Sequence, residues 1–226
     1  MLAAACRAFP CAGIPRRTLA LAGLLSVGLL LFATSRDLPI WLVGATVLAP
    51  WLPLLVVQTA WTYQRYQWLA LLYALVVTQT GHFLEHVAQM IQLHLLGLTG
   101  ANARGVFGAL DIESVHFTWN TWVIAAVLTL LWRYRANRWL WLAAALAGWH
   151  EAEHAYIFII YLTTGVAGTP GLLSQGGVLG GGLPIARPDL HFIYNLAETL
   201  PQALAFVEET QRVNARPSPR PLSDRL

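Results

Sequence analysis

One histidine pattern occurs twice in the chain, and the fold prediction depends on this repeat. The first copy is H-F-L-E-H at residues 82–86, followed by H-F-T-W-N at residues 116–120. The second copy is H-E-A-E-H at residues 150–154, followed by H-F-I-Y-N at residues 191–195. Histidine and glutamate are costly inside apolar segments unless they have partners. Their duplication in such segments therefore points to a shared binding site between helices.

The composition predicts a membrane protein. Of the 226 residues, 57% are hydrophobic and 11% are charged, whereas a soluble domain carries about a quarter charged residues. Several apolar runs approach or exceed the roughly 17–20 residues that span a bilayer. We therefore predict an all-α, polytopic integral membrane protein. About six transmembrane helices are expected, at residues 18–34, 39–58, 67–97, 115–132, 138–163 and 190–208.

The arginines predict the orientation of these helices. All 14 basic residues are arginine, and an N-terminus placed inside puts all but three of them on the inner side. The three outer ones are Arg36, Arg104 and Arg187. This bias predicts a protein of the plasma (inner) membrane with cytoplasmic N- and C-termini. The net charge of +3 thus reflects topology, and no nucleic-acid partner is expected.

The motif copies fall on consecutive helix pairs. The third and fourth helices form repeat 1 at residues 67–137, and the fifth and sixth form repeat 2 at residues 138–208. Two helices return the chain to the side from which it started, so the repeats are predicted to be parallel. Residues 1–17 are expected to be a cytoplasmic segment, residues 18–66 a two-helix buttress and residues 209–226 a disordered cytoplasmic tail.

Helical spacing brings the motif residues to common faces. In each H-x-x-E-H copy the two histidines and the glutamate share one stripe, and the histidine of each H-F-x-aromatic-N motif begins the partner helix. We therefore predict that six imidazoles and two carboxylates bind two metal ions, as one dinuclear centre or as two separate sites. His94 lies off its stripe and is predicted not to bind metal. The predicted ligands are His82, Glu85, His86, His116, His150, Glu153, His154 and His191.

The predicted donor set favours iron. Imidazole suits zinc, copper, iron and nickel, and glutamate shifts the preference toward iron, manganese or zinc over Cu(I). Two iron ions are therefore the expected cofactors, with zinc, manganese and copper as alternatives. Haem is disfavoured, because an i, i+4 histidine pair beside glutamate is typical of a chelated bare ion.

Four further residues are predicted to serve the site. Asn120 and Asn195 each lie one turn beyond a histidine and are expected to orient an imidazole, with helix–helix contact as the alternative. Glu198 shares the stripe of Asn195, but Val123 takes its place in repeat 1, so Glu198 is predicted to be a catalytic proton donor or acceptor. Tyr161 is a candidate redox or hydrogen-bonding residue, with ordinary packing as the alternative.

The leading functional hypothesis is a metalloenzyme with a dinuclear non-haem centre in the outer half of the bilayer. It would be an oxidoreductase or oxygenase that acts, among the membrane lipids, on an apolar or lipid-like substrate. A zinc-dependent membrane hydrolase is one alternative, since H-E-x-x-H and H-x-x-E-H strings also occur in zinc proteases. A metal transporter, carrier or sensor is another, but the inner halves of the helices are nearly all apolar, which argues against an ion path.

The histidine boxes are loosely similar to those of the membrane histidine-box oxygenases, such as fatty acid desaturases and hydroxylases. Those proteins hold two irons with histidine-rich boxes on transmembrane helices, so the resemblance implies iron-dependent oxidation of a lipid. The chain departs from that family because it has no H-x-x-H-H box, carries glutamates inside its boxes and places them toward the outer side.

Overall fold

The computed structural model describes residues 14–100, 102–110 and 112–215, and helices make up most of them. A π-helical turn continues the fourth helix and a short 3₁₀ turn precedes the fifth. Within the described ranges no β-strand forms, and one isolated bridge joins two glycines of a loop. The predicted all-α class is confirmed. The helices are α1 (Arg16–Ser35), α2 (Ile40–Leu48), α3 (Trp51–Tyr66), α4 (Trp68–Met90), α5 (Glu113–Arg133), α6 (Arg138–Thr164) and α7 (Arg187–Asn214).

The four helices that carry the motifs form one bundle. α4 packs against α5 and α7, and α6 packs against the same two helices, so the four close into a ring. The N-terminal helices lie to one side, where α3 packs against α4 and α1 packs against α2. The two helix pairs of the repeat therefore face each other across a common interior.

The apolar core fills one end of this bundle. Leu72 and Leu75 in the first half of α4 are fully buried, as are Leu130 near the end of α5 and Leu140 near the start of α6. Ala143 on α6 is also fully buried, and such small side chains let packed helices approach closely. The other end of the bundle is left for the histidine motifs, which matches the apolar inner halves expected from the sequence.

Fewer helices than predicted have the composition of a membrane span. α1 and α5 are long and apolar enough to cross a bilayer, and α2 and α3, bent by 43° at their junction, make a third if they form one span. The break falls at Pro50, which cannot donate the backbone hydrogen bond of a continuous helix. Six spans are therefore not confirmed. The polar residues of the histidine motifs lower the hydropathy of α4, α6 and α7.

The last helix is longer than predicted. Disorder is expected from residue 209, but α7 continues to Asn214. Asn137, the N-cap of α6, donates to Glu209 Oε1 at 2.9 Å, and this hydrogen bond fixes the final turns of α7 against the bundle. The rest of the predicted tail, residues 216–226, and most of the predicted N-terminal segment, residues 1–13, lie outside the described residues.

Candidate metal centre

Each copy of the repeat forms one group of three histidines. The H-x-x-E-H helix supplies two rings, and the start of the partner helix supplies the third. In each group, one ring nitrogen of every histidine lies within 4.8 Å of the other two. We call these groups site 1 (His82, His86 and His116) and site 2 (His150, His154 and His191). Both could hold a metal ion, so the histidine part of the predicted ligand set is brought together in two triads.

The two sites belong to one cluster. The ring of His116 in site 1 stacks on that of His154 in site 2, with centroids 5.5 Å apart and planes inclined by 17°. The six repeat histidines therefore lie together in one cluster, as a dinuclear centre requires. That they bind metal stays a prediction.

The ring nitrogens have the spacing of ligands on a shared ion. Nε2 of His86 lies 3.3 Å from Nε2 of His82, and Nε2 of His154 lies 3.1 Å from Nε2 of His150. With metal–nitrogen bonds of about 2.1 Å, these separations subtend about 104° and 95° at an ion. Both angles lie between the octahedral and tetrahedral values. The spacing of each i, i+4 pair is therefore compatible with both nitrogens binding one ion.

In His150 and His191, a hydrogen bond at Nδ1 leaves the other ring nitrogen, Nε2, for site 2. Nδ1 of His191 bonds the backbone oxygen of Arg187 at 2.9 Å, and Nδ1 of His150 bonds Glu198. Because Nδ1 donates in both rings, Nε2 carries the lone pair. Within the described part of the chain, Nε2 of His191 is buried without a hydrogen-bond partner. A buried, unpartnered acceptor needs an explanation, and a bound ion provides one.

Glu198 acts on site 2 through His150. Its Oε2 accepts from His150 Nδ1 at 2.8 Å, and both side chains are 1% exposed. Gln202 Nε2 donates to the other carboxylate oxygen at 3.4 Å. A carboxylate at this position fixes the tautomer of a ligating imidazole and raises its basicity. The structure therefore places Glu198 behind a candidate ligand, whereas the sequence predicts direct proton transfer.

The motif glutamates bind loops in both repeats. Glu85 Oε1 accepts from the backbone nitrogen of Phe107 at 2.5 Å, and Glu153 Oε1 accepts from that of Leu172 at 2.9 Å. Neither glutamate belongs to the two groups of converging donors among the described residues. Helical phase alone places them with the histidines, but the structure uses these oxygens to hold the loop over each site.

Two glycines make this loop contact possible. Gly105 and Gly171 both have φ +79°, a conformation that other residues rarely adopt. A side chain at Gly105 would overlap the carboxylate of Glu85, and one at Gly171 would overlap that of Glu153. Sequence reasoning missed this pairing, although the glycine-rich loops that follow both H-x-x-E-H motifs were a signal for it.

The two asparagines bind backbone. Asn120 Nδ2 donates to the carbonyl of His116, and Asn195 Nδ2 donates to that of His191, each at 2.9 Å. Asn195 Oδ1 also accepts from Gln79 Nε2 on α4 at 3.1 Å. The amides thus bond the histidine backbones and, for Asn195, a neighbouring helix. The expected orientation of an imidazole ring is not observed in these contacts, and helix–helix contact describes Asn195 better.

An aromatic ring covers the first histidine of each H-x-x-E-H motif. Trp119 stacks on His82 with centroids 5.1 Å apart, and Tyr194 packs against His150 with centroids 5.3 Å apart. These aromatics occupy the same place in the two H-F-x-aromatic-N motifs. They shield one face of each imidazole.

His94 and Tyr161 lie apart from the ligand groups. His94 Nε2 bonds Asp189 Oδ1 at 2.6 Å, and its side chain is 58% exposed. Its predicted exclusion from the site agrees with this position. Tyr161 is partly exposed and lines a cavity of about 750 Å³ that also reaches His154 and His191. It can therefore contact a molecule in that cavity without contacting the ions.

An ion pair that sequence reasoning missed stands beside the same cavity. Arg187 donates to both carboxylate oxygens of Glu113, at 2.9 and 2.7 Å. Glu113 Oε1 also accepts from the backbone nitrogen of Gly168 at 2.9 Å. The pair joins the starts of α5 and α7 to the second loop, and so fixes the helix ends that carry His116 and His191.

Comparisons with protein families, with curated proteins and with solved structures found no match to this chain. No relative therefore supplies an activity or a ligand. The geometry of site 1 and site 2 is the basis for assigning a function.

Proposed function

We propose that this protein is an integral membrane oxidoreductase with a dinuclear metal centre, acting on an apolar or lipid-like substrate. The observation that supports it is the convergence of two three-histidine sites, whose nearest rings are 5.5 Å apart. A single buried imidazole usually finds a hydrogen-bond partner. Six imidazoles gathered in one place, three of them with a buried ring nitrogen that has no hydrogen-bond partner among the described residues, are better explained by ions than by ordinary core packing.

The proposed membrane arrangement has six crossing segments and cytoplasmic termini. The segments are α1, the bent pair α2–α3, and α4 to α7. The distribution of arginines supports this orientation. Polar residues on α4, α6 and α7 do not argue against it, because those that bind neighbours in the bundle interior are shielded from lipid. This arrangement puts the histidine cluster in the outer half of the membrane.

Copper is the metal that we propose for this donor set. The preference for iron depended on ligation by Glu85 and Glu153, whose Oε1 atoms bind loop backbone. The remaining donors are neutral imidazoles, which suit copper, zinc and iron, and copper binds most strongly among the divalent first-row ions. Two copper ions bound here would supply reversible electron transfer to or from a substrate beside them.

The surrounding residues have two tasks. Glu198 and the carbonyl of Arg187 hold the rings of His150 and His191 with Nε2 toward the ion. Trp119 and Tyr194 cover imidazole faces and exclude water. Excluding water strengthens the electrostatic interactions within the site. It also favours apolar substrates over water-soluble ones.

Metal analysis of the detergent-purified protein tests the proposal. We expect two copper ions per chain, with electron paramagnetic resonance signals that disappear on reduction. His86→Ala in site 1 and His154→Ala in site 2 should each lose about one ion, and His94→Ala, the matched control, should lose none. Stoichiometric zinc would support the hydrolase instead. A Soret band, or equal losses in all three variants, would overturn the two-site assignment.

A further inference from the structure

A second cavity, of about 300 Å³, reaches site 1. Its lining includes all three histidines of site 1 and, among the described residues, none of site 2. Apolar residues, among them Leu48, Leu110 and Trp119, supply most of the remaining wall, and Glu85, Gln89 and Arg104 add polar groups to it. At about 30 Å³ per water-sized group, the cavity holds a chain or ring of about ten carbons.

The mouth of this cavity is flanked by exposed apolar side chains. Leu48 is 50% exposed and Leu110 is 56% exposed, and Gly81 between them is exposed too. Leu48 ends α2, which belongs to the bent pair that is apolar enough to cross a membrane. In a membrane, exposed leucines beside such a span face lipid. The cavity therefore opens sideways into the bilayer.

The repeat explains why only one site has this opening. Gly81 directly precedes His82, and Trp149 directly precedes His150 at the matching position of the second copy. A Cβ atom added at Gly81 would meet nothing within 4 Å. In repeat 2 the indole of Trp149 lies beside the hydroxyl of Tyr194, whose ring packs on His150. The first repeat thus has no side chain before its first histidine, whereas the second has an indole there, 37% exposed.

The burial of the ligands shows the same difference. Every histidine of site 2 is buried, at 1%, 1% and 5% exposure, whereas His82 and His116 of site 1 are only partly buried. Catalytic metal sites keep an open position for water or substrate. Site 1 has the more exposed ligands, and it reaches the 300 Å³ cavity, whereas site 2 is reached by the 750 Å³ cavity.

We propose that site 1 is the position at which the substrate binds, and that the substrate is an apolar chain or ring of about ten carbons that enters from the lipid past Gly81. Site 2 does not line this cavity; His154 and His191 line the larger cavity of about 750 Å³ instead, so its ion would contact this substrate through site 1. This inference depends on the proposed function for the presence of two ions. It further specifies the ion that the substrate contacts, the route by which the substrate enters and the chemical class of the substrate.

Metal extraction from lipid nanodiscs tests the route. The probe is neocuproine, an apolar copper(I) chelator that partitions into bilayers and forms a coloured complex. With reduced, copper-loaded protein, we expect release in two phases of equal amplitude, with the fast phase from site 1. Gly81→Trp should slow the fast phase at least about tenfold, the effect of about 1.4 kcal/mol of added barrier. Gly81→Val should slow it less.

Two matched variants control the experiment. Gly23→Trp adds the same indole on α1, where a Cβ atom also meets nothing within 4 Å, and should leave both phases unchanged. Trp149→Gly should accelerate the slow phase by opening site 2. An unchanged fast phase in folded, two-copper Gly81→Trp protein would overturn the lateral route. Protein that binds no copper would instead refute the proposed function, so the two failures are distinguishable.

Discussion

Replacing Glu198 tests whether its negative charge, hydrogen-bonded to His150, changes the affinity and potential of an ion in site 2. Its carboxylate lies 2.8 Å from Nδ1 of His150, and the ring plus one metal–nitrogen bond places it roughly 7 Å from an ion in site 2. At an effective dielectric constant of about 20, one negative charge at this distance stabilises each positive charge on the ion by about 2.4 kcal/mol. Glu198→Gln removes this charge but keeps an oxygen that can accept from Nδ1.

The charge effect has two measurable consequences. For Cu(I), the affinity of site 2 should fall roughly 50-fold in Glu198→Gln, within the 10- to 100-fold range usual for such partners. Because Cu(II) carries one more positive charge, it loses about 2.4 kcal/mol more than Cu(I) does. The midpoint potential of site 2 should therefore rise by about 100 mV, at 59 mV per factor of ten. Glu198→Leu, which also removes the hydrogen bond, should weaken binding further.

Redox titration monitored by electron paramagnetic resonance, with competition against a copper chelator, measures both quantities. Glu208→Gln is the control, because it is the same change ten residues along α7, about 15 Å from Glu198. It should leave the potential of site 2 unchanged. A shift below about 30 mV in Glu198→Gln would refute a charge effect of Glu198 on the ion. If Glu198→Gln keeps its metal affinity and midpoint potential but loses turnover, direct proton transfer by Glu198 becomes the better explanation.

Two further substitutions test the loop contacts. Glu85→Gln should keep the full metal content, measured by mass spectrometry, since the Glu85 oxygen binds the Phe107 backbone; loss of one ion would restore ligation by this glutamate. Gly171→Ala should lower the thermal stability more than Gly180→Ala. Positive φ costs each alanine about 1–2 kcal/mol, but only the alanine at Gly171 overlaps a carboxylate, and equal melting temperatures would contradict this contact.

The histidine triads were predictable because two independent regularities agree. Helical periodicity places His150 and His154 on one face, and the repeated order along the chain assigns His191 to the same site. Periodicity fixes a face but not the direction or reach of a side chain. Glu153 therefore shares the stripe of its histidines and yet directs Oε1 to Leu172, in a loop whose path the sequence does not determine.

Contacts between distant segments account for the other differences. The hydrogen bond from Asn137 to Glu209 extends α7, and no local pattern near Glu209 predicts a partner so far away along the chain. Glu198 is a similar case. Its lack of a counterpart in repeat 1 correctly marked it as special, but only the fold places it behind His150.

The positions at which the repeats differ indicate more about function than the positions that they share. The shared histidines are those that could hold ions, whereas Gly81 against Trp149 and Val123 against Glu198 distinguish the two sites. Both differences distinguish the sites: site 2 has more deeply buried ligands and a carboxylate on one of them, and site 1 opens on the apolar cavity. A negative charge stabilises the oxidised ion, so the ion at site 1 is the better electron acceptor. In the proposed oxidoreductase, an apolar substrate therefore meets the more oxidising ion first, which favours oxidation of the substrate over its reduction.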